Sequence, residues 1–432
     1  MHQGVRQTEL PLRRVLTTLP ITADSPPRFA RGPQRIHATA RAPERVLPRM
    51  RLAVVTETYP PELNGVALTV AHSVRYLRAQ GHSVTVLRPR QPGEAKHRTA
   101  NECLLPGIGL PLYQGVQFGL PVVLQLKRRW SADRPQLVHI ATEGPLGWAA
   151  LHVARRLGIP VTTDYRTQFH RYSVHYGVGL LAPAIEAYLR RFHNRADTTF
   201  VSTDCLRAEL ATRGYRNVVT VGRGIDTKLF NPARRDAGLR ASWGVGPHDV
   251  AVLYVGRLAP EKNLDLAARA YEAVHRRCPR ARMIWVGDGP ARARLQRAYP
   301  QHLFCGAISG EALAAHYASA DLFVFPSLTE TFGNVTLEAL ASGLAVLAYD
   351  YGAAGQHATD GRDARLVPYG DVDAYLGAAL ELAASSDLRA RLRAAAPHAA
   401  APLAWPRVLA PFEAHLAARI TACATRNAYA AD

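Results

Sequence analysis

Acidic residues are scarce in this chain: 34 Asp and Glu stand against 53 Lys and Arg in 432 residues, a formal net charge of +19. The imbalance either favours polyanionic partners such as nucleic acid, acidic lipid headgroups or phosphorylated small molecules, or reflects an arginine-heavy composition with exposed, solvated faces. Cysteine is sparse too. The five cysteines (Cys103, Cys205, Cys278, Cys305, Cys423) have no close spacing, which argues against a disulfide framework or a zinc site and fits a reducing cytoplasm. Long hydrophobic runs are missing as well. No stretch approaches the roughly 18 apolar residues needed to span a bilayer, and VVLQL is cut short by Lys127, Arg128 and Arg129. A hydrophobic share of 48% nonetheless supplies two or three domains with cores.

Residues 1–49 hold nine arginines against three acidic residues (Glu9, Asp24, Glu44), together with seven prolines and no sustained period. That composition predicts a disordered basic extension, and it lacks the apolar core of a secretory signal. Met50, directly before the first strand pattern, is an alternative start of translation.

From Arg51 the pattern changes. The run RLAVVTETYPPELNGVALTVAHSVRYLRAQGHSVTVLRP reads as strand, Pro and Gly loop, amphipathic helix, glycine stop and second strand, a βαβ unit. The alternation continues through LVHI, PVTTD and TTFVS, breaks after Val221 in a segment rich in Gly, Pro and charge, and restarts at VAVLYVGRL. The spacing predicts an α/β fold of two Rossmann-like, doubly wound domains: an N-terminal one over residues 50–222 and a C-terminal one over 223–400. Residues 401–432 are expected to form an amphipathic helix and tail that cross back to the first domain. Ligands of open parallel sheets lie beyond the carboxyl ends of the strands, so two such edges facing each other define a cleft.

Four loops at those strand ends carry candidate chemistry. Asn64 and Gly65 stand at a helix start, where free amides can hold an anion, although such turns are commonly structural. Arg257 leaves a strand after Gly256 and Lys262 follows five residues on; both can point at one diphosphate, or can be two surface cations. Gly287 in WVGDGP brings backbone close to the cleft, or simply makes a turn. In SLTETFGNVTLEALASG, Glu330 sits in a loop and Glu338 about one turn into the next helix, with the amides of Phe332, Gly333 and Asn334 between them. Carboxylates repel phosphate and accept hydrogen bonds from sugar hydroxyls. Phosphate therefore falls to the cations and amides, and hydroxyls to Glu330 and Glu338.

The E-x7-E pattern of Glu330 and Glu338, with GRLAPEKN and GDGP, resembles the retaining, GT-B-fold nucleotide-sugar glycosyltransferases over about residues 51–425. TETYPPELNGV, GRGIDTKLFNP and VGRLAPEKN look closest to the GDP-mannose-dependent α-mannosyltransferase branch. The resemblance implies that Arg257 and Lys262 bind the donor diphosphate, that Glu338 takes ribose hydroxyls and Glu330 sugar hydroxyls, and that Gly65 approaches the phosphate or acceptor. Two departures stand out. Where many members carry a histidine before threonine that contacts the donor sugar, this chain has Arg166 before Thr167, with His170 nearby either to supply the imidazole instead or as packing. The usual asparagine-glycine pair in DGRDARLVPYGD is Asp363 and Ala364.

The implied reaction is metal-independent transfer of a hexose, mannose from GDP-mannose first and a UDP-hexose second, onto a lipid or glycan hydroxyl. No cofactor is implied, since the nucleotide sugar is a substrate. Asp371-Val372-Asp373 mimics a metal-binding D-x-D but is better read as helix capping. A basic nucleic-acid-binding protein is the rival of another class, disfavoured because aromatics do not interleave with the basic runs. A sugar-nucleotide epimerase is a third reading, opposed by the E-x7-E context. The segments LKRRW and YLRRFHNR fit either peripheral contact with an anionic membrane, on the inner face of the cytoplasmic membrane, or solvated helix faces.

Overall fold

A computed structural model of the chain describes residues 47–62, 64–94, 101–110, 113–166, 182–330 and 332–429. The extension expected over residues 1–49 lies almost wholly outside them, as do Thr167 and His170.

Two parallel sheets organise the described residues. The first takes β1 (Arg51–Val55), β2 (Ser83–Pro89), β3 (Glu102–Leu105), β6 (Leu137–Ile140), β7 (Val161–Asp164), β8 (Thr198–Val201) and β9 (Val218–Thr220) in the order β3-β2-β1-β6-β7-β8-β9. A small antiparallel hairpin, β4 (Gly107–Leu110) with β5 (Tyr113–Gly119), stands apart from it. The second sheet has β10 (Ala251–Val255), β11 (Arg282–Val286), β12 (Leu303–Gly306), β13 (Leu322–Phe325), β14 (Ala345–Tyr349) and β15 (Arg365–Val367) in the order β12-β11-β10-β13-β14-β15. Strands such as LAVV and AVLYV are buried on both faces because helices cover each side, and so they read as unbroken apolar runs.

The strand order reverses direction between β1 and β6 in the first sheet and between β10 and β13 in the second. Such switch points open a crevice at the carboxyl edge. The loops leaving β1 and β10 there are the ones that carry Asn64 and Gly65, and Arg257 and Lys262.

Local chemistry sets the helix ends. Asn64 caps the helix Gly65–Ala79, its Oδ1 accepting from the amides of Val66 (3.1 Å) and Ala67 (2.9 Å). Asp371 caps Val372–Ala384 in the same way, accepting from Ala374 N at 2.9 Å, as the capping reading of that D-x-D predicts. The break after Val221 is more structured than its composition suggests. It contains a 3-10 turn, Pro232–Arg234, and a helix, Ala237–Ser242, whose buried Arg240 donates to Asp321 Oδ2 at 2.8 Å and so fastens the segment beneath the second sheet.

The last helix, Trp405–Tyr429, returns to the first sheet. Leu409, Phe412 and Leu416 join Leu52, Val54, Val74 and Leu77 in one buried cluster. Tyr76 Oη and His82 Nε2 both reach the Glu413 carboxylate, at 2.7 and 2.8 Å. His82 Nδ1 accepts from the Met50 amide (3.2 Å), so its proton sits on Nε2 and points at Glu413.

Candidate active site

On the second-sheet side, the loop after β10 holds Arg257 and then the 3-10 turn Pro260–Lys262. Lys262 Nζ forms an ion pair with Glu330 Oε1, closing the loops after β10 and β13 on each other. Ser327 Oγ donates to the same carboxylate oxygen at 2.8 Å, Tyr351 Oη donates to the Glu330 carbonyl at 3.1 Å, and Thr329 Oγ1 donates to the Glu261 carbonyl at 3.3 Å. Arg257 is 44% exposed and lies 3.7 Å from the buried Glu261 carboxylate. These contacts make one rim in which a cation and a carboxylate hold each other in place, each still able to meet a ligand group at the sheet edge.

Glu330 and Glu338 are set differently. Glu338 is in the helix Asn334–Ala341, half-buried, and accepts a hydrogen bond from Tyr317 Oη at 2.8 Å. Burial pushes its carboxyl up to about 7, against the lowering effect of that bond. Gly333, the N-cap of this helix, has φ +97°, a conformation that suits glycine. Phe332 beside it is buried, and Asn334 Oδ1 is buried with no hydrogen-bond partner among the described residues. Phe332, Gly333, Glu330, Ser327 and Tyr351 line one crevice of about 250 Å³.

Gly287 meets backbone rather than open cleft. At φ +135°, a Cβ there would fall 2.0 Å from the Gly256 carbonyl oxygen, so this glycine lets the loops after β10 and β11 pack together. Gly65 is the opposite case: a Cβ on it would meet no atom of the described residues within 4 Å. Among the described residues nothing requires glycine there.

The first-sheet side holds groups that sequence reasoning passed over. Glu57, leaving β1, accepts from the amides of Gly119 and Leu146 (3.0 Å for the latter), thereby capping the helix Pro145–Arg156 from another loop and pinning the β4–β5 hairpin. Burial raises its carboxyl to about 7 despite those bonds. At the end of β7, Arg166 Nε donates to Asp164 Oδ2 at 2.7 Å, and His139 Nε2 lies 3.1 Å from the same oxygen. Burial alone would raise Asp164; Arg166 and His139 outweigh it and hold the carboxyl well below its usual range. Arg166, noted as a departure from the family pattern, is thus committed to a carboxylate in its own loop. Arg223, in the segment between the sheets, places its guanidinium 5.8 Å from the Phe332 ring and connects the two sides. The motif GRGID contained it, but no pattern of spacing singled it out.

Among the described residues, no group of three or more His, Cys, Asp or Glu is arranged to hold a metal ion.

The chain matches two family descriptions in the order of the two sheets: Glycosyltransferase Family 4 over residues 63–229 and Glycosyl transferases group 1 over residues 249–385. It is 36% identical over 330 residues to a GDP-mannose-dependent alpha-mannosyltransferase of Mycobacterium tuberculosis, covering 75% of this chain and 85% of that one. It is 30% identical to a GDP-mannose-dependent alpha-(1-6)-phosphatidylinositol dimannoside mannosyltransferase of the same species, over 68% of this chain and 78% of the other. Among solved structures, Anabaena HepE in complex with UDP superposes with a TM-score of 0.68 at 16% identity, covering 85% of this chain and 100% of that one, which identifies the fold as GT-B. Identity at this level across most of both chains, with paired domains in the same order, makes this protein a member of the glycosyltransferase family that those α-mannosyltransferases belong to.

Proposed function

We propose that this chain is a retaining hexosyltransferase that moves mannose from GDP-mannose onto a hydroxyl of a lipid or glycan acceptor. The observation that carries the reading is the meeting of Lys262 and Glu330 at the switch point of the second sheet, a cation for phosphate beside a carboxylate for sugar hydroxyls. The donor sugar and base follow the names of the relatives, and the lipid acceptor follows the phosphatidylinositol mannoside named for one of them.

In this reading residues 50–222 serve the acceptor, residues 223–400 hold the donor and residues 401–432 tie the two. Arg257 and Lys262 take the diphosphate with the amides of Phe332, Gly333 and Asn334. Glu338 accepts from ribose hydroxyls and Glu330 from the hexose. Asn64 and Gly65 close the site from the first sheet, Gly287 shapes the donor loops, and His170, outside the described residues, remains a candidate contact to the sugar. The bond from the sugar's anomeric carbon to the diphosphate breaks, the acceptor oxygen bonds to the same face, and the departing phosphate takes the acceptor's proton. The barrier lies in charge growing on the leaving oxygen, so the prepositioned cations and amides contribute most.

The acceptor side offers a membrane-facing surface. Lys127 and Arg128 are exposed on the helix Val123–Ala132, beside Leu124 at 72% exposure, and Leu120 just before this helix is exposed as well. Apolar side chains beside basic ones suit an anionic bilayer surface, and no helix among the described residues is long and apolar enough to cross a membrane. This supports peripheral contact at the inner face of the cytoplasmic membrane. Binding to acidic vesicles should fall steeply with salt, and indifference to lipid charge would count against it.

The donor is tested by thermal shift of the purified chain against nucleotide sugars, with Lys262→Ala as control. Selective stabilisation by GDP-mannose is expected. Stabilisation by UDP-hexoses instead would move the reading to a UDP-dependent enzyme.

A further inference from the structure

The two chain segments that pass between the sheets run side by side at Arg223. Ile225 N donates to the Leu403 carbonyl at 2.8 Å, and Ile225 and Ala404 form an isolated parallel bridge. Gly224 lies flat against Trp405, where a Cβ would fall 2.5 Å from the indole, and Trp405 is stacked on His72 at 4.6 Å. The backbone that carries Arg223 is therefore fixed from both sides.

Its side chain is held but not neutralised. Among the described residues Arg223 makes no hydrogen bond or ion pair; its guanidinium lies over Phe332 and lines a crevice of about 410 Å³ with Asp164, Arg166, Ser202 and Thr69. The nearby carboxylates are engaged. Asp164 already receives Arg166 and His139, and Glu330 receives Lys262 and Ser327. Burial, then the charge of Arg166, depress Arg223 to about 9, an arginine under electrostatic stress. Two guanidiniums beside one carboxylate, which Arg166 already holds, leave an uncompensated positive charge, and a half-buried charge without a counterion is costly. A forked donor in that position is matched to a planar or tetrahedral oxyanion.

We propose that Arg223, with Arg166 lining the same crevice, is an oxyanion-binding site on the first-sheet side of the cleft, taking a phosphate or carboxylate group of a substrate. Only the naming of the substrate rests on the glycosyltransferase reading. The group can come from the donor, as the phosphate opposite Arg257 and Lys262, or from an acidic headgroup on the acceptor.

The test uses the full chain and calorimetric binding of pyrophosphate, GDP and guanosine, with transfer assays on acceptor lipids that differ only in an acidic headgroup. Arg223→Gln is expected to weaken an oxyanion contact by about 10-fold to 100-fold, the range for a hydrogen bond to a charged group. Arg223→Lys, which keeps the charge, should lose less, and guanosine affinity should stay unchanged. Loss of pyrophosphate and GDP affinity assigns the site to the donor. Unchanged GDP affinity with a collapsed preference for acidic over neutral acceptor assigns it to the acceptor. If Arg223→Gln and Arg223→Lys, folded by thermal melt, alter neither GDP nor pyrophosphate affinity nor that preference, the proposal is overturned. Should pyrophosphate binding depend on Arg223 while no nucleotide binds, the oxyanion site stands and the donor assignment falls.

Discussion

Lys262 and Glu330, 68 residues apart in the chain, form an ion pair that leaves only 12% and 16% of their side chains exposed. Each fixes the other at the carboxyl edge of the second sheet, so each is expected to act through position as well as charge. Lys262→Ala should lower kcat by about 100-fold to 1000-fold, the cost of losing one prepositioned donor. Because Glu330→Gln also releases Lys262, the double variant should cost clearly less than the product of the two single effects in steady-state kinetics. Independent, multiplicative losses would show that the pair is not a functional unit.

Gly65 and Gly287 should behave in opposite ways. Gly65→Ala meets no atom of the described residues and stands at the start of a helix, so melting temperature should hold or rise slightly while transfer activity falls. Gly287→Ala drives a Cβ to 2.0 Å from the Gly256 carbonyl at φ +135° and should cost about 1–3 kcal/mol by denaturant unfolding. An active Gly65→Ala enzyme would remove that residue from the ligand path.

Glu57 and Glu338 both have carboxyls raised from 4.5 to about 7. A group whose folded-state value is raised contributes stability that is fully present below about 4.5 and is lost as pH rises through about 7. Melting curves across that window should show a smaller decline for Glu57→Gln than for wild type, and smaller again when Glu338→Gln is added. An unchanged slope would mean that these carboxylates are already ionised throughout.

Glu413 receives Tyr76 and His82 from the first half of the chain. Glu413→Ala leaves both donors unpaired in a largely buried setting and should destabilise by about 1–3 kcal/mol per orphaned group at most, read by chemical denaturation. A variant with wild-type stability would show that apolar packing alone docks the last helix.

The two sheets were legible because a strand buried on both faces is an unbroken apolar run, and because Pro and Gly punctuate each turn. The strand β3 and the β4–β5 hairpin escaped notice: ECLL and GIGL are too short and too glycine-interrupted to show a period. Arg257, Lys262, Glu330 and Glu338 were legible through their spacing from strand ends. The pairing of Lys262 with Glu330 was not, because it joins loops brought together only by sheet order. Glu57 and Arg223 were invisible for the same reason, since the partners of Glu57 are backbone amides far along the chain and Arg223 gains meaning only beside Phe332.

Leu409, Phe412 and Leu416 complete a cluster that begins with Met50 and Leu52. During synthesis the opening strands therefore wait, with one greasy side uncovered, until the residues up to Leu416 have left the ribosome. A fragment ending before Trp405 should aggregate rather than fold, and supplying the missing segment as a separate peptide is the natural way to rescue it.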